Sequence, residues 1–180
     1  MTRKPLGSML TPTIFTGELV NSPVGSLLLA ASDKGLVAVE WKTAHNEFDN
    51  YLQRFSNSIT FNQPMLDRFT EELMEYFSRK RRRFTFPIDW SYMREFQRQV
   101  LLITYRIPYS ETRTYGEIAI EMGNENFSRA VGRAQAVNPM PLVIPCHRVI
   151  GSDGRLHGYG GGQGLQTKEW LLKMEGALLA

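Results

Sequence analysis

The spacing of apolar residues changes period along the chain, and this limits the fold more than any other feature. Up to Trp41 the apolar residues come in short runs: Thr13 to Val20 (TIFTGELV), Gly25 to Ala31 (GSLLLAA) and Gly35 to Trp41 (GLVAVEW). NSPVG and SDKG lie between them, the pattern of strands joined by turns. Beyond that point the recurrence is helical. The stretch from His45 to Phe55 reads as one helix. In a second, over 65–77, Met65, Phe69, Leu73, Tyr76 and Phe77 recur at helical spacing. The first half is therefore expected to be an antiparallel sheet with helices, ending near Phe86-Pro87.

The second half is helical in pattern. Phe96, Val100, Ile103 and Ile107 share an apolar face that Pro108 ends. Thr114 and Glu117 have the spacing of a capping box, so a helix should start after Thr114. Ile118, Ala119 and Met122 form its inward face and Gly123 can close it. Asn126 or Ser128 can cap a further helix, RAVGRAQAV. Its inward face is Ala130, Val131, Ala134 and Val137; its outward face is Arg129, Gly132, Arg133 and Ala136. Two short helices joined by a tight turn form a helix-turn-helix candidate. Small residues flanked by two arginines suit close approach to another surface, and arginine suits phosphate or a base stack. Packed helix pairs in cores share the same pattern.

At 180 residues the chain makes one large domain or two small ones and can bury a core. The net charge of +3 is not that of a nucleic-acid tail. Residues 1–90 carry 11 basic and 10 acidic groups and residues 91–180 carry 10 and 8, so anion binding must rest on local clusters. One such cluster is RKRRR, Arg79 to Arg83. It reads as a phosphate-attracting patch, a targeting signal or a solvated linker. No apolar run is long enough to cross a bilayer, and the N-terminus lacks a signal-peptide stretch, so an intracellular protein is expected.

Cys146 is the only cysteine. No internal disulfide or multi-thiolate zinc site is then possible within the chain. It ends the apolar run Met140 to Ile144, expected to be a buried strand or extended segment, and sits in the sequence PCHR. The bland reading is a small buried hydrophobe. Against it, Pro145 turns the backbone just before the sulfur, and His147 follows directly, where a base can lower a thiol's pKa. In a regular strand the two side chains would point apart, so they share a proton only if the backbone turns or a water bridges them. Glu175 ends a helix over 167–175. A carboxylate there opposes the helix dipole by roughly 0.3–1 kcal/mol, which suggests a specific partner such as a histidine. A Glu-His-Cys relay would follow the orienting logic of a hydrolase triad.

PCHRVI, with RAVGRA and NP upstream, YGEIA before those, and GYGGG then KEWLLKMEG downstream, closely resembles the O6-alkylguanine-DNA alkyltransferases. The likeness is dense from Phe96 to Gly176 and looser before. It implies an α+β fold. A ribonuclease-H-like structural domain spans residues 1–88, and a mostly helical DNA-binding and alkyl-acceptor domain spans residues 89–180. It implies that Cys146 accepts the alkyl group, that His147 takes the thiol proton through a water, and that Glu175 orients His147. Asn138 would hold the turn before the cysteine. Tyr115 would press on the target phosphate and donate to the guanine. Arg129 would fill the gap left by the extruded base, and Ala130, Gly132, Arg133 and Ser152 would meet DNA. Pro141, Val149, Tyr159, Gly160 and Gly161 would line the guanine pocket.

The resemblance further implies a cytoplasmic or nuclear monomer with no metal and no cofactor. Its partner would be double-stranded DNA carrying O6-alkylguanine, with O4-alkylthymine a further candidate. Two departures stand out. Val100-Leu101 replaces a common Val-Trp, and Gln163-Gly164 lengthens the glycine loop by two residues. Relatives that only flag lesions carry tryptophan in place of the cysteine, so Cys146 argues against that role. A plain helix-turn-helix regulator would carry base-reading side chains where this helix has Gly132 and Ala136.

Overall fold

Strands form where the short apolar runs predict them. β1 (Ile14–Leu19) pairs antiparallel with β2 (Leu27–Ser32), and β2 pairs antiparallel with β3 (Gly35–Trp41). The computed structural model describes residues 12–42 and 47–178. Its sheet is mixed rather than antiparallel throughout. A fourth strand, β4 (Ile59–Phe61), lies parallel to β1 and gives the order β3-β2-β1-β4. Three residues, with Phe61 66% exposed, carry too little periodicity to announce a strand.

Helix α1 (Glu47–Leu52) is shorter than the expected span, whose first residues, His45 and Asn46, lie outside the described residues. Helix α2 (Gln63–Phe77) begins at Asn62, whose side chain accepts from the Met65 amide, and Pro64 sits in its first turn. Leu66, Phe69, Leu73, Tyr76 and Phe77 are its buried stripe. Met65, expected on that stripe, is 44% exposed because Leu66 takes the inward seat one position on.

The alternation of strand side chains gives the sheet two faces. Ala30, Val37 and Ala38 pack against Phe48 and Leu52 of α1. Leu27, Leu29 and Val39 pack on the other side, in a core shared with Leu73, Tyr76, Met140, Ile144 and Leu171. That core draws on both halves of the chain, and the Val39 amide donates to the Pro139 carbonyl at 2.8 Å.

The second half contains α3 (Glu95–Tyr105), β5 (Arg113–Thr114), α4 (Tyr115–Glu121), α5 (Ser128–Ala136), β6 (Val149–Ile150) and α6 (Leu165–Glu175). β5 and β6 pair in parallel. Val100, Ile103, Ile118, Ala119, Val131 and Ala134 form the core of α3, α4 and α5. Two expectations shift here. Val137 falls at the end of α5 and is 64% exposed, while Gln135 turns inward and donates to Thr104 Oγ1 at 2.6 Å. The turn into α5 is capped by Asn124, which accepts from the Asn126 amide at 3.0 Å, rather than by Asn126 or Ser128.

The capping box of α4 forms in full. Thr114 Oγ1 accepts from the Glu117 amide at 3.1 Å, and Glu117 Oε2 accepts from the Thr114 amide at 2.6 Å. Thr114→Ala should lower stability by about 1 kcal/mol in urea denaturation, because an N-terminal amide loses its partner. An unchanged midpoint would mean that the box adds nothing beyond water.

Candidate active site

The expected strand from Met140 to Ile144 is a buried turn. Leu142 has φ 74°, in the left-handed region, at a cost of roughly 1–2 kcal/mol for a branched residue. An apolar run reports burial but not conformation, and here the run folds back on itself. Asn138 holds both ends of it. Its Nδ2 donates to the Ile144 carbonyl at 2.8 Å, and its Oδ1 accepts from the Met140 amide at 3.0 Å. Cys146–Arg148 then form one turn of 3-10 helix, so the backbone does turn at the cysteine.

Cys146 is 8% exposed and lines a cavity of about 640 Å³. Tyr115, Arg129 and Gly132 reach that cavity from the helix-turn-helix, and Pro141, Tyr159, Gly160 and Gly161 from the loops. Asn138 also lines it, as do Glu40 and Trp41 of β3, Ser128, Gln135 and His157. Trp41 packs edge-on against Tyr159, with ring centroids 6.1 Å apart, and donates from Nε1 to the Val24 carbonyl at 2.9 Å. A Cβ at Gly161 would fall 2.3 Å from the Trp41 ring, so that glycine is required by the close approach. A Cβ at Gly132 would meet only the Tyr115 ring at 3.9 Å, an ordinary contact. Nothing within the protein requires glycine at 132.

Some expected residues lie elsewhere. Val149 is buried in the α3–α5 core and its carbonyl accepts from Lys168 Nζ at 2.6 Å. Ala130 is half-buried, and Arg133 and Ser152 are exposed; none of the three lines the cavity.

Behind the cysteine lies a buried polar hub that sequence reasoning found only in part. Glu175 Oε1 accepts from the Tyr76 hydroxyl at 2.5 Å and from Arg148 Nη2 at 2.8 Å, and it lies 3.0 Å from His147 Nε2. Glu175 Oε2 accepts from Arg148 Nε at 2.8 Å. The acid expected to need a partner at the end of α6 therefore has three. Burial pushes its carboxyl up, but His147 and the Arg148 guanidinium outweigh that and hold it at about 2.

Burial lowers the His147 pKa despite Glu175, so the ring is neutral at pH 7. With the carboxylate taking the Nε2 proton, Nδ1 is the bare acceptor, and this buried atom has no hydrogen-bond partner among the described residues. Burial raises the Cys146 thiol, while Asn138 and Lys168 act in the opposite direction. The Tyr159 hydroxyl is also buried without a partner among the described residues. Lys168 is fully buried, bridges the Val149 and His157 carbonyls, and is lowered by burial to about 8. Among the described residues no three His, Cys, Asp or Glu side chains cluster as a metal site would require. None of the described helices is long and apolar enough to cross a membrane.

The hub sets an acid limb of stability. The unfolded carboxyl titrates near 4.5 and the folded one near 2, so the unfolded chain takes up the proton first. The contribution is complete above about pH 4.5 and lost as pH falls toward 2, on the order of 3 kcal/mol in all. Glu175→Gln should cost about 3–5 kcal/mol at pH 7 by leaving Arg148 buried without its counter-charge, and should flatten that limb. Tyr76→Phe should cost about 1 kcal/mol and preserve it. Equal acid limbs in the wild type and Glu175→Gln would contradict this assignment.

Comparison with known proteins agrees along most of the chain. Residues 17–90 match the ribonuclease-like domain of 6-O-methylguanine DNA methyltransferase, and residues 95–177 match its DNA binding domain. The methylated-DNA--protein-cysteine methyltransferase of Methanosarcina acetivorans is 38% identical over 88% of this chain and 97% of its own. That of Mycolicibacterium paratuberculosis is 40% identical over 87% and 89%. A crystal structure of the Mycobacterium tuberculosis protein OGT in complex with DNA superposes with a TM-score of 0.74 at 33% identity, covering 92% of this chain and 93% of that one. A single cysteine lining the cavity, followed directly by a histidine held through Nε2, thus stands in a shared fold: the chain belongs to the O6-methylguanine DNA methyltransferase family.

Proposed function

We propose that the chain repairs alkylated DNA by moving the alkyl group from guanine O6 to its own Cys146, once per molecule. The observation that carries this reading is a lone thiol lining the cavity, followed in the same turn by a histidine whose Nδ1 has no partner among the described residues. The thiol proton passes through a water to Nδ1 while Nε2 stays bonded to Glu175. Sulfur then attacks the alkyl carbon, the carbon–oxygen bond breaks, and guanine departs with the electron pair and takes up a proton. A thioether is not hydrolysed by this site, so the protein is consumed.

The substrate base must leave the duplex to reach the cysteine, at a cost of a few kcal/mol. Arg129, exposed at the mouth of the cavity, occupies the gap in the stack. Burial raises the Tyr115 pKa, so it keeps its proton and remains a donor. The partnerless Tyr159 hydroxyl is the donor that a guanine ring acceptor would satisfy. Gly132 lets the helix press close to the minor groove. In this division of labour residues 1–88 support the site and residues 89–180 hold the DNA and perform the transfer.

Intact mass after mixing with a short duplex containing O6-methylguanine should rise by one methyl group per chain and stop there. Cys146→Ser should show no rise; a rise in that variant would place the acceptor elsewhere. Gly132→Ala should raise stability by about 0.5–1 kcal/mol, as for a helical glycine, yet weaken DNA binding. Unchanged affinity would remove close approach as the reason for the glycine.

A further inference from the structure

The Arg79–Arg83 run has no part in the reading so far, and neither has the hollow it borders. This second hollow, of about 440 Å³, shares no lining residue with the cysteine cavity. The buried turn divides its residues between them. Pro141 and Cys146 line the first; Leu142, Val143, Pro145 and Arg148 line the second. Four arginines line the second hollow (82, 83, 106 and 148) and no acid does.

Of these, Arg148 is committed to Glu175. Arg82, Arg83 and Arg106 are exposed and have no acidic partner among the described residues. Arg81 turns away to Glu72 and Glu75, at 3.2 and 2.7 Å, so the run is not one solvated stretch. Arg82 and Arg148 both lie over the Tyr109 ring, 5.5 and 5.8 Å from its centroid.

We propose that this arginine-lined hollow is a second phosphate-backbone site, gripping duplex DNA beyond the segment held by the recognition helix. The proposal rests on DNA being the ligand of the first site. Guanidinium forks suit phosphate oxygens. Here they come from two separate stretches, the loop after α2 and the end of α3. Such contacts read no sequence, so the grip would be equal on damaged and undamaged DNA.

The test uses the full chain, an undamaged 30-base-pair duplex, and the triple variant Arg82→Ala, Arg83→Ala, Arg106→Ala. Each lost phosphate contact should make the slope of log affinity against log salt shallower by about 1, so the variant should lose about 2–3 and bind at least tenfold more weakly at low salt. Removing equal charge elsewhere, by Lys34→Ala, Lys42→Ala and Arg68→Ala, should change the slope by less than 1. The transfer rate from a free O6-alkylguanine base should match wild type in the triple variant. Equal slopes in the triple variant and wild type would overturn the proposal. So would saturation of the hollow by inorganic phosphate alone with duplex affinity unchanged. Loss of transfer from the free base in the wild type would instead overturn the reading of Cys146.

Discussion

One buried carboxylate holds the working parts of this molecule together. Glu175 ends α6, where the helix dipole disfavours negative charge, and it is desolvated as well. It persists because it meets Tyr76 from α2 and His147 and Arg148 from the cysteine turn. The same four side chains therefore join both halves of the chain and fix the ring of the residue that follows Cys146. Removing Glu175 leaves the buried Arg148 guanidinium without its counter-charge, a loss that costs more than the bonds contribute, whereas Glu175 keeps two partners when Tyr76 is removed.

This arrangement separates the roles of the two imidazole nitrogens. Nε2 is bound to the structural hub, and Nδ1 is left bare. The ring is thus held neutral and fixed through Nε2, and in the proposed transfer Nδ1 is the proton acceptor. The thiol itself is not set up as a standing thiolate, since burial raises it. In the proposed transfer its activation comes with the substrate, when the proton passes to Nδ1. A nucleophile used once gains from staying protonated until a base occupies the cavity, because each stray reaction would consume a molecule.

The sequence made the local features of the fold legible and left the distant ones hidden. The capping box at Thr114, the end of the last helix at Glu175 and the three strand runs are local chemistry, and each lies where its residues predict. β4 was too short to show a period. The apolar content of the Met140 to Ile144 run signals burial alone, while its turn depends on Asn138 bonding across it. In the candidate site, the dipole argument at Glu175 pointed to a histidine, but two of the hub's members escaped it. Arg148 stands within PCHR and was passed over. Tyr76 is 99 residues away from Glu175 and carries no local mark of that pairing. Trp41 and Glu40 reach the cavity from a strand that looked purely structural.

The central claim is that Glu175 fixes the tautomer of His147 so that Nδ1 faces its task unprotonated. The nitrogen-15 shifts of the His147 ring at pH 7 measure this directly. The account predicts a neutral ring with the proton on Nε2 and a bare Nδ1 that responds when a free alkylguanine base enters the cavity. A proton on Nδ1, or an imidazolium at pH 7, would contradict it.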